Sequence, residues 1–506
     1  MMEILVMKKK SLSALFQPVE LTQGECWKTI LAFSFPIIVS YLLQQVYTIS
    51  DAAIVGQTLT AQEVAGVNDT TSLIFIFLQF AFGVSAGFCV VTSCNVGAHN
   101  PAGVRRSLTT QIVLSAALTV ILTVLALLLL DPMLAWINVT PDNGEVYRAA
   151  YTYCAIIFAG IGAQLFYNFI CSFLRSMGDS VTPLAFLLFS TVLNVGLDLL
   201  FIIVFRWGVA GAAIATVAGQ IAAALLVMRR GFRPSPALRR YPALAGRIYR
   251  LGIPNILMQS AYTFYILGLN LILATFSDQA VTALGLYYKW QTFFFIPLGA
   301  LQTCMVPIVS FNYAAQRLDR CRETLKVSLL WGLALMFLGL LCFEFLPGPM
   351  LRLFSRDALV ISIGSYGFRW IGLSFLPLVT SLIFPVFFQA VGYAGKSSLL
   401  TILRTVVLFV PLGWALSLLG LHAFWLTYPI TEVVTSLVGF GFYRQSSAGR
   451  APCPQGESEK TRKPAASTFF DVHYLGRRTI SGVISEREWA PHMAMVSVSS
   501  ARSLST

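Results

Sequence analysis

Charge is what this 506-residue sequence has least of. Only 11% of its residues are Asp, Glu, Lys or Arg, against 57% hydrophobic, and its mean hydropathy is +0.74. Soluble domains of that total length need far more polar surface, so composition excludes them and places the chain in lipid. Paired cysteines are also missing. The nine cysteines are scattered, mostly within apolar runs, and none has the CxxC spacing of a zinc or redox centre. The four histidines show no metal-ligand spacing: His473 and His492 fall near the carboxyl end, His99 in a connection, and His422 at the start of the last apolar run. There is no GxxxxGK[ST] loop and no HExxH helix, which removes the common signatures of nucleotide hydrolysis and zinc proteolysis. No enzyme activity, cofactor or metal is implied. Work done by the chain is then expected to draw on an ion gradient, unless a separate ATPase supplies it.

The net charge of +13 does not form a nucleic-acid surface. Its Lys and Arg residues sit in short stretches between apolar runs and in the tail, a distribution that membrane topology explains better than DNA or RNA does. Lys8, Lys9 and Lys10 precede no short apolar run with an A-x-A cleavage site, so residues 1–28 read as a retained cytoplasmic arm.

Roughly 20 apolar residues cross the hydrocarbon core as a helix. Twelve such runs are expected: 29–54, 70–97, 107–130, 149–173, 183–205 and 208–228 in a first lobe (29–228), then 251–276, 281–310, 325–346, 362–391, 399–419 and 422–443 in a second (251–445). An Arg-rich linker, 229–250, separates the lobes, and the polar stretch 446–506 reads as a disordered tail. One set of alternate connections holds Arg105, Arg106, Arg175, Arg317, Arg320, Arg322, Lys326, Lys396 and seven linker arginines. The other set holds only Arg148, Arg206, Arg352 and Arg356. The positive-inside rule therefore puts both termini in the cytoplasm.

The halves repeat. Pro36 pairs with Pro254 and Ala65 with Ala283 at a separation of 218; Arg106 and Arg322 stand 216 apart, Gly178 and Gly392 stand 214 apart, and Gly208 and Gly420 stand 212 apart. Six helices per half make the repeat parallel. Transporters of this plan commonly bind substrate between halves that rock against one another.

The residues that stand out chemically are acids within apolar runs. An Asp at the centre of a spanning helix costs about 2.5–3.5 kcal/mol on insertion scales, so it usually faces a cavity or a partner. Asp198 lies deep in the fifth run with Asn194 one turn earlier on the same face, and Asp51 lies near the outward end of the first with Tyr47 one turn before it. At about 1.5 Å per residue, Asp51, Asp198 and Thr216 of the sixth run fall in the same outer half of the membrane. Carboxylates brought together in a poorly solvated pocket titrate as a pair, and the same oxygen-rich cluster suits H⁺ or Na⁺. Blander readings stand beside this one. Asp51 fits a wetted helix end, and Thr216 in GVAGAAIATVAGQ fits back-bonding within a close-packing surface. Arg404 reads as snorkelling to the interface, and Glu344 and Glu432 as lying near helix ends.

The segments FPIIVSYLLQQVYTISDAAIVGQTLTAQEVAGV, YNFICSFLRSMGDSVTPL, LNVGLDLLFI with WGVAGAAIATVAGQ, and FFQAVGYAGKSS resemble the multidrug and toxic compound extrusion (MATE) family over about residues 31–444. The resemblance implies an all-α polytopic fold of twelve transmembrane helices in two lobes. It also implies a prokaryotic exporter of organic, often cationic, compounds in exchange for H⁺ or Na⁺. By resemblance, Asp51, Asn194, Asp198 and Thr216 are the ion-coupling residues. Tyr47 and Asn168 line or adjoin the substrate cavity, and Gln44 is a further candidate for its wall. Family members with acids in the seventh and tenth helices are not matched here, since the seventh run offers Gln259 and Tyr262 and the tenth has no acid after Arg369.

The leading expectation is thus a monomeric antiporter in the inner membrane. A flippase for lipid-linked saccharides is the nearest alternative, and it needs a strongly cationic cavity for which only Lys289 and Arg404 are candidates. A membrane scaffold without flux would have no use for two buried acids.

Overall fold

The computed structural model describes residue 21 and residues 23–228 and 241–447. Most of the expected arm, the first part of the linker and the tail from 448 lie outside the described residues. The first half runs α1 (Cys26–Thr58), α2 (Ala61–Gly97), α3 (Pro101–Leu128), the short α4 (Leu130–Trp136), α5 (Glu145–Ala159), α6 (Ile161–Ser176), α7 (Val181–Asp198) and α8 (Gly208–Met228). The second half runs α9 (Tyr241–Ala274), α10 (Asp278–Ala314), α11 (Leu318–Phe345), the short α12 (Pro347–Arg352), α13 (Ala358–Leu373), α14 (Phe375–Ala390), α15 (Ala394–Ile402), α16 (Val410–Ser417), α17 (Leu421–Phe424) and α18 (Thr427–Ser447). Helix α9 takes in the last ten residues of the stretch read as linker, because Pro242 falls in its first turn, where proline is tolerated, and the apolar helical pattern continues from there.

Among the described residues, nine helices are long and apolar enough to cross a membrane, and two bent pairs raise the number to eleven. Those pairs are α5 with α6, bent by 47°, and α13 with α14, bent by 52°. The twelfth span is α18. Its 21 residues reach about 32 Å, but Thr427, Thr431, Glu432, Thr435 and Ser436 dilute its apolar character. Large exposed hydrophobics such as Leu128, Val120, Leu330, Leu338 and Leu437 face outward along several spans, as lipid requires and water would not permit.

The duplication is visible in the backbone. Helix α1 contains Pro36 and α9 contains Pro254. The breaks at Gly160 and Ser374 interrupt the fourth span of each half. Gly178 and Gly392 close corresponding helices with φ of 85° and 93°, a left-handed stop that disfavours any side chain. Just beyond Gly178, Asp179 Oδ1 accepts from the backbone N–H of Val181 (3.0 Å) and Thr182 (2.9 Å), which caps the start of α7. The MGDSVTPL motif is therefore a helix stop followed directly by a helix start. Each half also contains one π-helical stretch in its fifth span, Leu199–Val204 and Leu403–Phe409.

The lobes meet most intimately between α2 and α9, where backbones touch. A Cβ on Gly87 would stand 2.1 Å from the Ile248 carbonyl oxygen, and one on Gly252 would stand 2.6 Å from that of Gly83. Farther along, Gln259 Nε2 donates to Gln79 Oε1 at 3.1 Å. Between α1 and α10, Tyr41 Oη and Thr303 Oγ1 share a hydrogen bond of 2.7 Å. This seam occupies the half of the bundle nearest the basic connections. Gly252→Val is expected to force α2 and α9 apart, because overpacking against backbone has no flexible neighbour to absorb it. Cross-linking of a cysteine pair placed at Gln79 and Gln259 should fall about 10-fold, in keeping with the usual cost of inserting bulk into a packed seam. An unchanged cross-linking yield would mean that the seam is not tight.

Candidate functional site

The site is built from α1, α7 and α8 near the end of the bundle opposite the basic connections. Asp198 is the last residue of α7 and is completely buried, and Asn194 one turn earlier is 1% exposed. The chain then widens into the π-turn, where the Phe205 N–H reaches back five residues to the Leu200 carbonyl at 2.9 Å. Such turns commonly mark functional positions in helices.

Small residues on α8 let it pack directly on α7. At Gly219, an added Cβ would already touch the Asn194 Cβ at 3.4 Å. That approach brings the Thr216 backbone to Asn194. With its nitrogen toward the carboxylate, the Asn194 amide donates to Asp198 Oδ2 at 3.1 Å and accepts from the Thr216 N–H at 3.3 Å. The Thr216 hydroxyl shares a 3.4 Å hydrogen bond with Tyr47 Oη of α1. One chain of contacts therefore runs Tyr47, Thr216, Asn194, Asp198. Asp198 Oδ1, in contrast, is buried with no hydrogen-bond partner among the described residues.

Asp51 is half-buried on α1, one turn beyond Tyr47, and lies within electrostatic range of Asp198. Tyr153 of α5 completes the surroundings, close enough to feel Asp51, Tyr47 and Asp198. Nothing in its own segment distinguishes it, since YRAAYTYCA holds three tyrosines and only the fold selects one. In the Thr216 segment, Gly211 and Gly219 pack α8 against Phe201 and Asn194, while the Thr216 hydroxyl meets Tyr47.

Asn168 and Gln44 stand apart from this chain of contacts. Asn168 is 8% exposed on α6, and its Nδ2 donates to the Gln164 carbonyl of its own helix at 2.9 Å. Gln44 is exposed on α1.

The second lobe contains a feature that corrects the reading of Arg404 and Glu432. Arg404 does not snorkel, and Glu432, near the start of α18 as expected, is nonetheless buried. Both are buried, at 6% and 0% exposure. Arg404 Nη2 donates to Glu432 Oε1 at 2.6 Å, and Nε donates to both carboxylate oxygens at 3.1 Å. Ser381 on α14 donates to Glu432 Oε2, and the guanidinium lies over the Phe409 ring at 5.1 Å. The pair joins α14, the second π-turn and α18.

Comparison with known proteins places this architecture. The MatE family model matches residues 36–200 and again 254–415, one copy in each lobe and more than half of the chain. The chain belongs to the MATE family of transporters. Curated MATE-like relatives include the probable multidrug resistance protein YoeA of Bacillus subtilis, 24% identical over 83% of this chain and 93% of that one. The multidrug export protein MepA of Staphylococcus aureus is 24% identical over 78% of this chain and 88% of its own. The probable multidrug resistance protein YpnP of Bacillus subtilis is 28% identical over 58% of this chain and 66% of its length. Among solved structures, an outward-facing multidrug resistance MATE family transporter superposes with a TM-score of 0.77 at 21% identity, over 86% of this chain and 99% of that one. A Pyrococcus furiosus transporter of the MOP superfamily gives 0.76 at 22% identity, over 85% and 98%. The two-lobed, multi-pass membrane fold of this MATE transporter follows directly.

Proposed function

We propose that the chain is a secondary antiporter of the inner membrane that exports small organic compounds, often cationic and amphipathic, in exchange for H⁺ or Na⁺. The observation that supports this most is Asp198 Oδ1, a carboxylate oxygen held inside the bundle without a hydrogen-bond partner among the described residues and within range of a second carboxylate. An isolated buried charge of that kind is costly in lipid and is retained where a proton or small cation completes it. The multidrug relatives supply the substrate class.

In this reading the basic connections are cytoplasmic and the α2–α9 seam closes the cytoplasmic side. An ion entering from outside reaches Asp51 and Asp198 and neutralises part of their charge. The contacts Asp198–Asn194–Thr216–Tyr47 pass the change to the packing of α7, α8 and α1. The lobes then rock, the seam parts, and the ion leaves toward the cytoplasm as substrate loads from there. The ion gradient drives the cycle because each ion must be bound to permit one direction of rocking and released to permit the other. A flippase for lipid-linked pyrophosphates is disfavoured because the Arg404 charge is already neutralised by Glu432.

The test uses proteoliposomes loaded with an amphipathic cationic dye, with pH and sodium gradients imposed separately. Flux accelerated by one gradient and not by the other identifies the coupling ion. Flux that ignores both would sink the antiport reading.

A further inference from the structure

The second lobe has a groove that shares no residue with the acidic site of the first lobe. It encloses about 490 Å³ between α11, α14 and α18, with Leu325, Leu329, Pro377, Phe384, Leu437 and Phe440 among its walls. Its α14 wall begins just after the 52° bend between α13 and α14. Polar atoms on its surface are already engaged. Thr380 Oγ1 donates to Ser436 Oγ at 2.6 Å, and Ser436 Oγ donates to the Pro377 carbonyl at 2.7 Å. What remains facing the groove is hydrocarbon, so it suits an apolar chain better than a polar solute.

Length and charge identify which chain. From Val433 to Tyr443 the groove runs ten residues along α18, about 15 Å, or half of the roughly 30 Å hydrocarbon core and hence the depth of one leaflet. Its mouth lies at the basic end, where none of the lining residues is acidic and Lys326 is exposed. Lys326 stands on a helix that starts at that end. Helical side chains lean toward their helix N-terminus, so its ammonium is directed to the headgroup level. Arg444, in the last turn of α18, lies over the Phe440 ring at 4.7 Å and puts a second cation at the same mouth. Glu323, one turn before Lys326, is the acid nearest in sequence and is exposed to solvent.

We propose that this groove is a binding site for an anionic glycerophospholipid of the leaflet at the basic end, one acyl chain lying between α11, α14 and α18 and the phosphate resting on Lys326 and Arg444. The acyl chain fills the space between α11, α14 and α18 and braces the three helices. The proposal does not depend on ion coupling, since it concerns a different lobe and a different surface.

Native mass spectrometry of the delipidated full chain tests it, with phosphatidylglycerol and phosphatidylcholine of identical acyl chains offered in equal amounts. Two cations near a membrane surface favour the anionic lipid by about 30-fold. The Lys326→Gln/Arg444→Gln double variant, which changes only exposed side chains, should lose nearly all of that preference. Glycerophosphoglycerol, the same headgroup without acyl chains, should not be retained. Equal retention of the two lipids, a preference that survives the double variant, or effective competition by the chain-free headgroup would each overturn the site.

Discussion

Replacing Asp198 by asparagine reduces gradient-driven efflux to the rate of protein-free vesicles while leaving the protein folded. Asparagine keeps the shape of the side chain and its contact with Asn194, but it cannot exchange a proton or hold a cation by charge. Removing a buried carboxylate also relieves the bundle of a group that lipid disfavours, so insertion and yield are expected to be at least as good as those of the parent chain. The measurement is ion-driven transport in proteoliposomes alongside the unfolding temperature in detergent. Parental transport rates in Asp198→Asn would remove this residue from the mechanism. If Asp51 and Asp198 act as one unit, the double replacement is no worse than Asp198→Asn alone, because groups in a shared site are not additive. Substantial gradient-driven efflux remaining in Asp51→Asn alone would assign Asp51 a separate task.

The second large effect belongs to the other lobe. Arg404→Gln or Glu432→Gln leaves one charge buried without its counter-ion, a defect that costs about 3–5 kcal/mol when a desolvated pair is broken. Both singles should lower the unfolding temperature sharply and reduce the yield of monodisperse protein. The matched apolar replacement Arg404→Met/Glu432→Leu is expected to recover most of the loss, since buried pairs are often no more stabilising than well-packed hydrophobic residues. A single variant as stable as the parent would mean that water reaches the pair. Recovered stability with lost transport in the apolar double would give the pair a part in the cycle as well.

The contrast between these two sites shows what the sequence could convey. Asn194 and Asp198 are one turn apart on a single helix, so periodicity alone puts them on one face, and counting along three helices sets Asp51, Asp198 and Thr216 at a common depth. Arg404 and Glu432 are 28 residues apart on different helices, and no local pattern joins them. The depth of Arg404 also differs from the expected one. With the eleventh span taken from 399, Arg404 sits near an interface. The helix in fact starts at Ala394, which sets Arg404 ten residues in and about 15 Å from that end. Glu432 stands five residues into α18 and is fully buried, so nearness to a helix end did not mean exposure. Asn168 illustrates another limit, because its place comes from the resemblance alone and its amide donates within its own helix. Tyr153 was hidden among three equivalent tyrosines.

A π-turn accommodates one residue more than an α-turn of equal rise, so everything after it is rotated by about 100° relative to an unbroken helix. The first lobe makes this insertion just after Asp198, whereas the second makes it between 403 and 409, ahead of Leu412. Leu412, the partner of Asp198 by simple counting, therefore faces a different azimuth within its own lobe. The internal pseudo-symmetry of the chain is broken at the one height where the first lobe carries its acid, and alignments that treat these spans as uniform rods will superimpose the wrong side chains there.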